Sequence, residues 1–181
     1  MLGRFSYVDW GNLSDGESLW PVDHRTCDFT GYSRLVTQQM STFCWLAGMS
    51  GIFDGGAEHV GVFVSDDLYW NATAGNCTEE PFVDAVSYCA DFGLGARSAW
   101  YGAERTWRQG DAPVDLGSAT GSLCALTRVA GEFRGAGEAV WITQRDGRWL
   151  LEGQSAQSGV EASARCVSLR QTLDVRFPFP R

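Results

Sequence analysis

The feature of this sequence that most constrains its fold is an internal repeat. When the chain is shifted by 80 positions against itself, eight residue pairs are identical within about 28 residues, where unrelated sequence would give roughly two. The identical pairs are Cys44 with Cys124, Leu46 with Leu126, Gly51 with Gly131, Phe53 with Phe133, Gly55 with Gly135, Glu58 with Glu138, Val60 with Val140 and Asp66 with Asp146. At the same shift Tyr69 falls on Trp149, and a small length difference then brings Cys89 onto Cys166. One structural unit therefore occurs twice, and each copy begins and ends at a cysteine.

The composition of the repeat is typical of short strands. Its glycines recur too closely for stable helices, because each glycine weakens a helix interior by about 1 kcal/mol relative to alanine. β-Branched and aromatic residues fall in strand-length pieces at 44–46, 60–64, 68–70, 140–143, 149–151 and 166–169. Between them, Asp66-Asp67 and Asp146-Gly147 suit tight hairpin turns. The best helix candidate is a turn or two between Pro81 and Tyr88.

We therefore predict an all-β protein with two related small disulfide-closed antiparallel β units, sandwich or barrel-like, and an N-terminal arm. Residues 1–40 are assigned to the arm, 41–95 to the first repeat, 96–120 to a connector and 121–181 to the second repeat with a C-terminal strand or arm. In that last segment hydrophobic residues alternate strictly, at Leu173, Val175, Phe177 and Phe179. This alternation predicts either an edge strand of the same sheet or an arm that docks on a neighbouring subunit.

The six cysteines are interpreted through the duplication. Equivalent pairing in the two units joins Cys44 to Cys89 and Cys124 to Cys166, which leaves Cys27 and Cys77 for each other. The alternative of free buried thiols in a cytosolic protein stays open. A zinc site is disfavoured, because there is no C-x-x-C pair and the chain has only 2 histidines.

The charge and hydropathy of the chain exclude several partners. With 14 basic and 22 acidic side chains the net charge is −8, the wrong sign for neutralising a nucleic-acid backbone. The longest strongly apolar run, 60–64, is far below the roughly 20 residues that span a bilayer, so no membrane insertion is predicted. The first ten residues also lack an export signal. Disulfides without a signal indicate either release by cell lysis, as for virion components, or a leader already removed.

The second unit resembles a small Cys-bounded β domain that recurs in tailed-phage fibre or spike proteins and in bacterial surface proteins. The resemblance rests on the segment from Cys124 to Gly131, on Gly135 to Glu138, on Trp149 and on 163–166, and it covers about half of the chain. The first unit matches less well. The resemblance implies a virion-surface or extracellular location, with attachment to cell-surface saccharide as one role.

The candidate catalytic groups are better explained as structural. Glu58 and Glu138 occupy equivalent places in the two units, as do Asp66 and Asp146, whereas a glycosidase needs two unlike carboxyls about 5 to 10 Å apart. The repeated Gly51 and Gly131, with the two glutamates, are predicted to form structural turns. A Cys/His nucleophile is disfavoured because Ala139 replaces His59 in the second unit, and there is no G-x-S-x-G elbow. We predict no enzyme, no cofactor and no metal.

The aromatic residues supply the candidate binding site. Tyr69, Trp70 and Trp149 lie beside the turns that carry Asp66 and Asp146, which is the chemistry that stacks on sugar rings and binds hydroxyls. Packing in the core or at a subunit interface is the alternative for these aromatics. The predicted function is that of a non-enzymatic virion surface protein, namely a tail fibre, spike or head decoration. It would assemble with other virion subunits or with itself as a homo-oligomer, with a host-surface glycan as candidate ligand. The alternatives are a secreted lectin-like carbohydrate-binding module and a small glycan hydrolase.

Overall fold

A computed structural model describes residues 3–8, 29–38, 42–54, 58–65, 69–76, 83–91, 102–135, 137–157 and 159–168. These residues form twelve strands and no helix, which confirms the all-β prediction. The strands are β1 (Gly3–Val8), β2 (Phe29–Gln38), β3 (Thr42–Gly51), β4 (His59–Val64), β5 (Tyr69–Asn76), β6 (Val83–Asp91), β7 (Arg105–Arg108), β8 (Val114–Ser118), β9 (Ser122–Ala130), β10 (Ala139–Arg145), β11 (Arg148–Gln154) and β12 (Glu161–Ser168).

Each half of the chain has the same strand order. In the first half, β6 lies between β1 and β3, and β5 lies between β2 and β4. In the second half, β12 lies between β7 and β9, and β11 lies between β8 and β10. All of these pairs are antiparallel. The repeat therefore comprises six strands, β1 to β6 in unit one and β7 to β12 in unit two.

The register of the strands agrees between the units down to a β-bulge. Pairing of β3 with β6 skips one residue between Leu46 and Gly48. Pairing of β9 with β12 places Leu126 opposite Ala164 and Arg128 opposite Ser163, so Thr127 is the extra residue there. Because a bulge shifts every later side chain on its strand, keeping it in both copies keeps the same residues facing the core.

The two units share one sheet. Strand β4 of unit one pairs with β9 of unit two, which gives the order β2-β5-β4-β9-β12-β7. The apolar clusters follow this continuity: Val129 of unit two is buried with Val60 of unit one, and Val167 of unit two is buried with Phe43 and Trp70. The units are therefore joined by both backbone pairing and a shared core.

Each unit is closed by a cross-strand disulfide, as predicted. Cys44 is bonded to Cys89, which lies directly opposite it, and Cys124 is bonded to Cys166 in the same way. Structural disulfides persist in oxidising compartments, so the folded chain belongs to an extracellular-type environment. Cys27 and Cys77 lie outside the described residues.

Three observations differ from the sequence-based expectations. The helix candidate between Pro81 and Tyr88 was wrong, because Val83–Asp91 is strand β6, in which every second side chain from Val83 to Cys89 is buried. Strands β1 and β2 lie within the expected arm, and β7 and β8 lie within the expected connector. Val64 pairs with Trp70 and Gln144 pairs with Trp149, so the residue equivalent to Trp149 is Trp70 and not Tyr69. The alternating C-terminal residues beyond 168 lie outside the described part.

Candidate functional site

The outward face of the sheet formed by β8, β11 and β10 carries an exposed aromatic residue among charged side chains. Trp141 on β10 is 39% exposed and pairs across the strands with Glu152 on β11. On the opposite face, Ile142 pairs with Leu151, which is buried in the core of unit two. We call the outward set, Trp141, Arg145, Arg148, Glu152 and Asp115, the hairpin face.

Two ion pairs order the hairpin face. The Nη2 atom of Arg145 donates to both carboxylate oxygens of Glu152, at 2.9 and 3.3 Å. The Nε atom of Arg148 donates to Oδ2 of Asp115 at 2.7 Å, and the backbone N–H of Gly117 donates to Oδ1 of the same residue at 2.8 Å. An indole beside fixed donors and acceptors can stack on the apolar side of a sugar ring and bind its hydroxyl groups.

The hydrogen bonds of Asp115 shift its protonation. The Arg148 guanidinium, followed by the Gly117 amide, holds the pKa of the Asp115 carboxyl below its ordinary value. The same contact raises the pKa of Arg148. The contribution of the Asp115 pair to stability is therefore present above the ordinary carboxyl pKa and is lost as the pH falls through the lowered one.

The hairpin turn below this face has the predicted chemistry. Asp146 and Gly147 have φ angles of 51° and 71°, the left-handed conformation that a two-residue hairpin turn requires. They join Arg145 to Arg148, which pair across the strands. Asp146 is thus in a tight turn, and its counterpart Asp66 lies outside the described residues.

The structure separates the aromatic residues that the sequence grouped together. Trp70 is 1% exposed and donates from Nε1 to the Thr42 carbonyl oxygen at 3.0 Å, so its ring packs in the core and offers no face to a ligand. Trp149 is half-buried, with its Nε1 atom enclosed. Tyr69 is half-buried at the start of β5, and its carbonyl oxygen accepts from the Ser65 amide at 2.9 Å. We therefore remove Trp70 from the predicted saccharide site.

The repeated glycines and glutamates lie at equivalent strand ends, with Gly51 and Gly131 at the ends of β3 and β9 and Glu58 and Glu138 just before β4 and β10. Gly51 and Gly131 have φ angles of 116° and 105°, a region that favours glycine. A Cβ atom at Gly131 would lie 2.3 Å from the Gly159 carbonyl oxygen, so a side chain cannot be placed there without moving backbone. Glu58 is 1% exposed and accepts at its backbone oxygen from the Gly131 amide at 3.0 Å, whereas Glu138 packs against Gly135.

Trp141, an exposed aromatic residue of the described part of the chain, was not among the residues predicted for the binding site. It aligns with Gly61 of the first unit, so the repeat itself gave no reason to select it. The alternation of β10 was the available signal, because Val140 and Ile142 face the core and the residue between them must face outward.

Other site types find no support among the described residues. No group of three His, Cys, Asp or Glu side chains lies close enough there to hold a metal ion. No helix that could cross a bilayer occurs within the same ranges. Comparison with family models, curated proteins and solved structures finds no match to this chain.

Proposed function

We propose that this chain is a non-enzymatic virion surface protein of a tailed phage or phage-like particle, such as a tail fibre, spike or head decoration, that assembles with other subunits. The observation that carries the proposal is the joining of the two units by a sheet that runs from β2 to β7 without interruption. Units that stack through nearest-neighbour interfaces form extended, additive structures, which suits a structural surface element.

The disulfides and the duplicated acids support the same conclusion. Two cross-strand disulfides stabilise units with Gly-rich strands in an oxidising environment outside the cell. Glu58 and Glu138 hold equivalent places in the two units, which supports a structural role for each. Catalysis by paired carboxyls instead needs two unlike environments converging on one substrate.

The experiment is to locate the native protein. We expect antibodies raised against the purified chain to label the surface of intact particles, after density-gradient purification from the source culture, in negative-stain electron microscopy. Mass spectrometry of the same fraction should recover peptides from both units. Recovery of the chain only in the particle-free supernatant would contradict the virion proposal.

The hairpin face favours one second candidate, a secreted lectin-like carbohydrate-binding module. Trp141 is exposed beside the Arg145–Glu152 ion pair, and this arrangement resembles the chemistry of sugar recognition. If the module binds glycans through this face, Trp141→Ala will weaken binding on a glycan array by at least about tenfold, a loss within the roughly 1–3 kcal/mol that an aromatic side chain contributes when it stacks on a nucleobase. Trp70→Phe, a change in the core, is the matched control and should leave binding unchanged. Equal binding by Trp141→Ala and the parent chain would remove the hairpin face from this candidate.

A further inference from the structure

Six of the described strands lie at sheet edges, namely β1, β2, β3, β7, β8 and β10, and two of these, β3 and β10, are equivalent to the strands β9 and β4 that pair inside the chain. Among the described strands, β3 has β6 on one side and no strand on the other, and β10 has β11 on one side and no strand on the other. An open edge presents a row of backbone donors and acceptors that can pair with another strand. The edges of β3 and β10 lie in different units, β3 in unit one and β10 in unit two.

The repeat identifies what each open edge matches. Strand β10 is equivalent to β4, and β3 is equivalent to β9, because the shift of 80 positions carries one onto the other. Strands β4 and β9 are the pair that joins the units inside the chain. The edges of β3 and β10 are therefore each a copy of one half of a junction that this chain already forms.

We propose that a second copy of this chain binds end to end, with β10 of one copy pairing antiparallel with β3 of the next in the register of the internal junction. Inside the chain His59 pairs with Ala130, Val60 with Val129 and Gly61 with Arg128. The equivalent pairs between copies are Ala139 with Ser50, Val140 with Met49 and Trp141 with Gly48. This inference deepens the proposed function, on which it rests, by naming the partner and the register of assembly.

The positions of the exposed apolar residues support pairing between the edges of β3 and β10. Among the described residues, the large exposed hydrophobics are Met49, Ile52 and Trp141, at 39%, 55% and 39%. Met49 is on β3, Ile52 directly follows β3, and Trp141 is on β10. At the internal junction the residues equivalent to Val140 and Met49 are Val60 and Val129, which are 0% and 3% exposed. Pairing of copies would bury Met49 as the internal junction buries Val129.

The sizes of the facing residues are complementary. The Trp141 indole would lie opposite Gly48, where the absence of a side chain leaves room for it. Within its own chain Gly48 has no steric need to be glycine, because an added Cβ atom would meet only Val86, at 3.6 Å. In the internal junction the order is reversed, with Gly61 facing the long side chain of Arg128. Each junction thus combines one large side chain with one glycine.

The charges at the junction are also complementary in both arrangements. Inside the chain an Arg134 Nη2 atom lies 3.7 Å from an Asp54 carboxylate oxygen, with side chains 56% and 50% exposed. These two positions are themselves equivalent by the shift of 80. Between copies, Arg134 takes the place of Asp54 and the next copy's Asp54 takes the place of Arg134. The attraction is preserved with the signs exchanged.

An interface of this kind is heterologous, because it joins two different surfaces. Heterologous contacts build rings if the rotation closes and open filaments if it does not, whereas a two-fold dimer uses one surface twice. The expected solution behaviour is therefore a concentration-dependent series of dimers, trimers and longer species in analytical ultracentrifugation, and not a single dimer.

Site-directed crosslinking tests the register. Two variants, Val140→Cys and Met49→Cys, are purified separately, mixed and oxidised with the native disulfides intact. Residues directly opposite on antiparallel strands have Cβ atoms about 4.5–5.5 Å apart, within a small adjustment of the spacing of a disulfide. We therefore expect a mixed dimer, and peptide mapping should place its new bond between these two positions. Gln144→Cys is the matched control, since it lies four residues along the same face of β10, about 13 Å away. It should crosslink to Met49→Cys at least about tenfold more slowly.

Edge variants test the interface without a covalent bond. We expect Trp141→Lys and Met49→Lys each to remove the higher species in sedimentation, because a charge placed at a strand edge opposes edge-to-edge pairing. Gln109→Lys, in an exposed turn after β7, should sediment like the parent chain. Equal crosslinking by the Gln144 control, or a disulfide between two Val140→Cys copies, would overturn the proposal.

The outcome is separable from that of the proposed function. Particle labelling without any β10–β3 crosslink would overturn the end-to-end register and leave the virion proposal standing. Specific crosslinks in a protein that never sediments with particles would support the register and contradict the virion proposal.

Discussion

Removing either disulfide will destabilise its unit by about 4 kcal/mol in the chain-entropy limit, with measured losses of about 2–5 kcal/mol for small secreted domains. The bond in unit one joins residues separated by 45 positions and that in unit two joins residues separated by 42. Both therefore restrict long loops in the unfolded chain, where the entropic effect is large. We expect Cys124→Ala with Cys166→Ala to lower the urea midpoint of the chain, as followed by tryptophan fluorescence.

The control for this experiment is a cross-strand pair without a covalent bond. Ser122 and Ser168 lie directly opposite each other two residues beyond the disulfide. Replacing both by alanine removes one exposed side-chain hydrogen bond, from Ser122 to the Ser118 carbonyl, and should cost no more than about 1 kcal/mol. Reduction of the parent chain should reproduce the large loss. An intact mass that shows six free thiols in the native protein, or no change in midpoint on reduction, would contradict the prediction.

The sequence predicted the strands that the repeat shares and missed those that it does not. Cys44, Cys124 and the Asp146-Gly147 turn follow from local chemistry and from an identity signal at one spacing. Strands β1, β2, β7 and β8 carry no such signal, because they flank the sheets and their partners are fixed only by tertiary pairing. Val8 lies opposite Ala85 and Trp107 lies opposite Ala162, so Val8 and Trp107 are counterparts by register. Valine and tryptophan are so different that comparing the two sequences does not reveal this equivalence.

The candidate site shows the same division between what the local sequence predicts and what tertiary packing decides. Alternation along a strand separates two faces but does not say which face another sheet covers. Trp70 and Trp149 lie at equivalent positions and both point inward, whereas Trp141, on the strand that pairs with the strand of Trp149, points outward. Which face is buried is decided by the packing of the sheet formed by β8, β11 and β10 against strand β7, which carries Trp107. That packing depends on strand order, which the sequence did not contain as a local pattern.

A single methyl group at Gly153 will destabilise unit two by about 3 kcal/mol, at the upper end of the typical cost of overpacking a core. Gly153 lies under the Trp107 ring, and an added Cβ atom would be 2.3, 2.5 and 2.7 Å from three of its carbon atoms. Trp107 is 2% exposed and donates from Nε1 to the Asp111 carbonyl oxygen at 3.1 Å. The indole ring is therefore fixed both by core packing and by this hydrogen bond. Chemical denaturation of Gly153→Ala measures the loss.

The residues of unit one indicate which second substitution should compensate for Gly153→Ala. By register, Ala74 is the counterpart of Gly153 and Val8 is the counterpart of Trp107, so unit one has alanine and valine at the two positions where unit two has glycine and tryptophan. Trp107→Val alone should cost roughly 3 kcal/mol through the cavity that it leaves. Combined with Gly153→Ala it should cost at least about 1 kcal/mol less than the sum of the two single changes, because the added methyl group then occupies space that the indole has vacated.

A second glycine separates this steric effect from the general effect of replacing glycine. At Gly102 an added Cβ atom would meet only the Cys166 carbonyl oxygen, at 3.6 Å, which is an ordinary contact. Gly102→Ala should therefore change stability by no more than about 1 kcal/mol, since only the backbone freedom of the unfolded chain is reduced. If Gly153→Ala were as mild as Gly102→Ala, or if the double variant lost the full sum, the ring of Trp107 would not lie against the backbone of β11. The presence of glycine at 153 beside Trp107 would then not explain how the same six-strand unit forms from two different sequences.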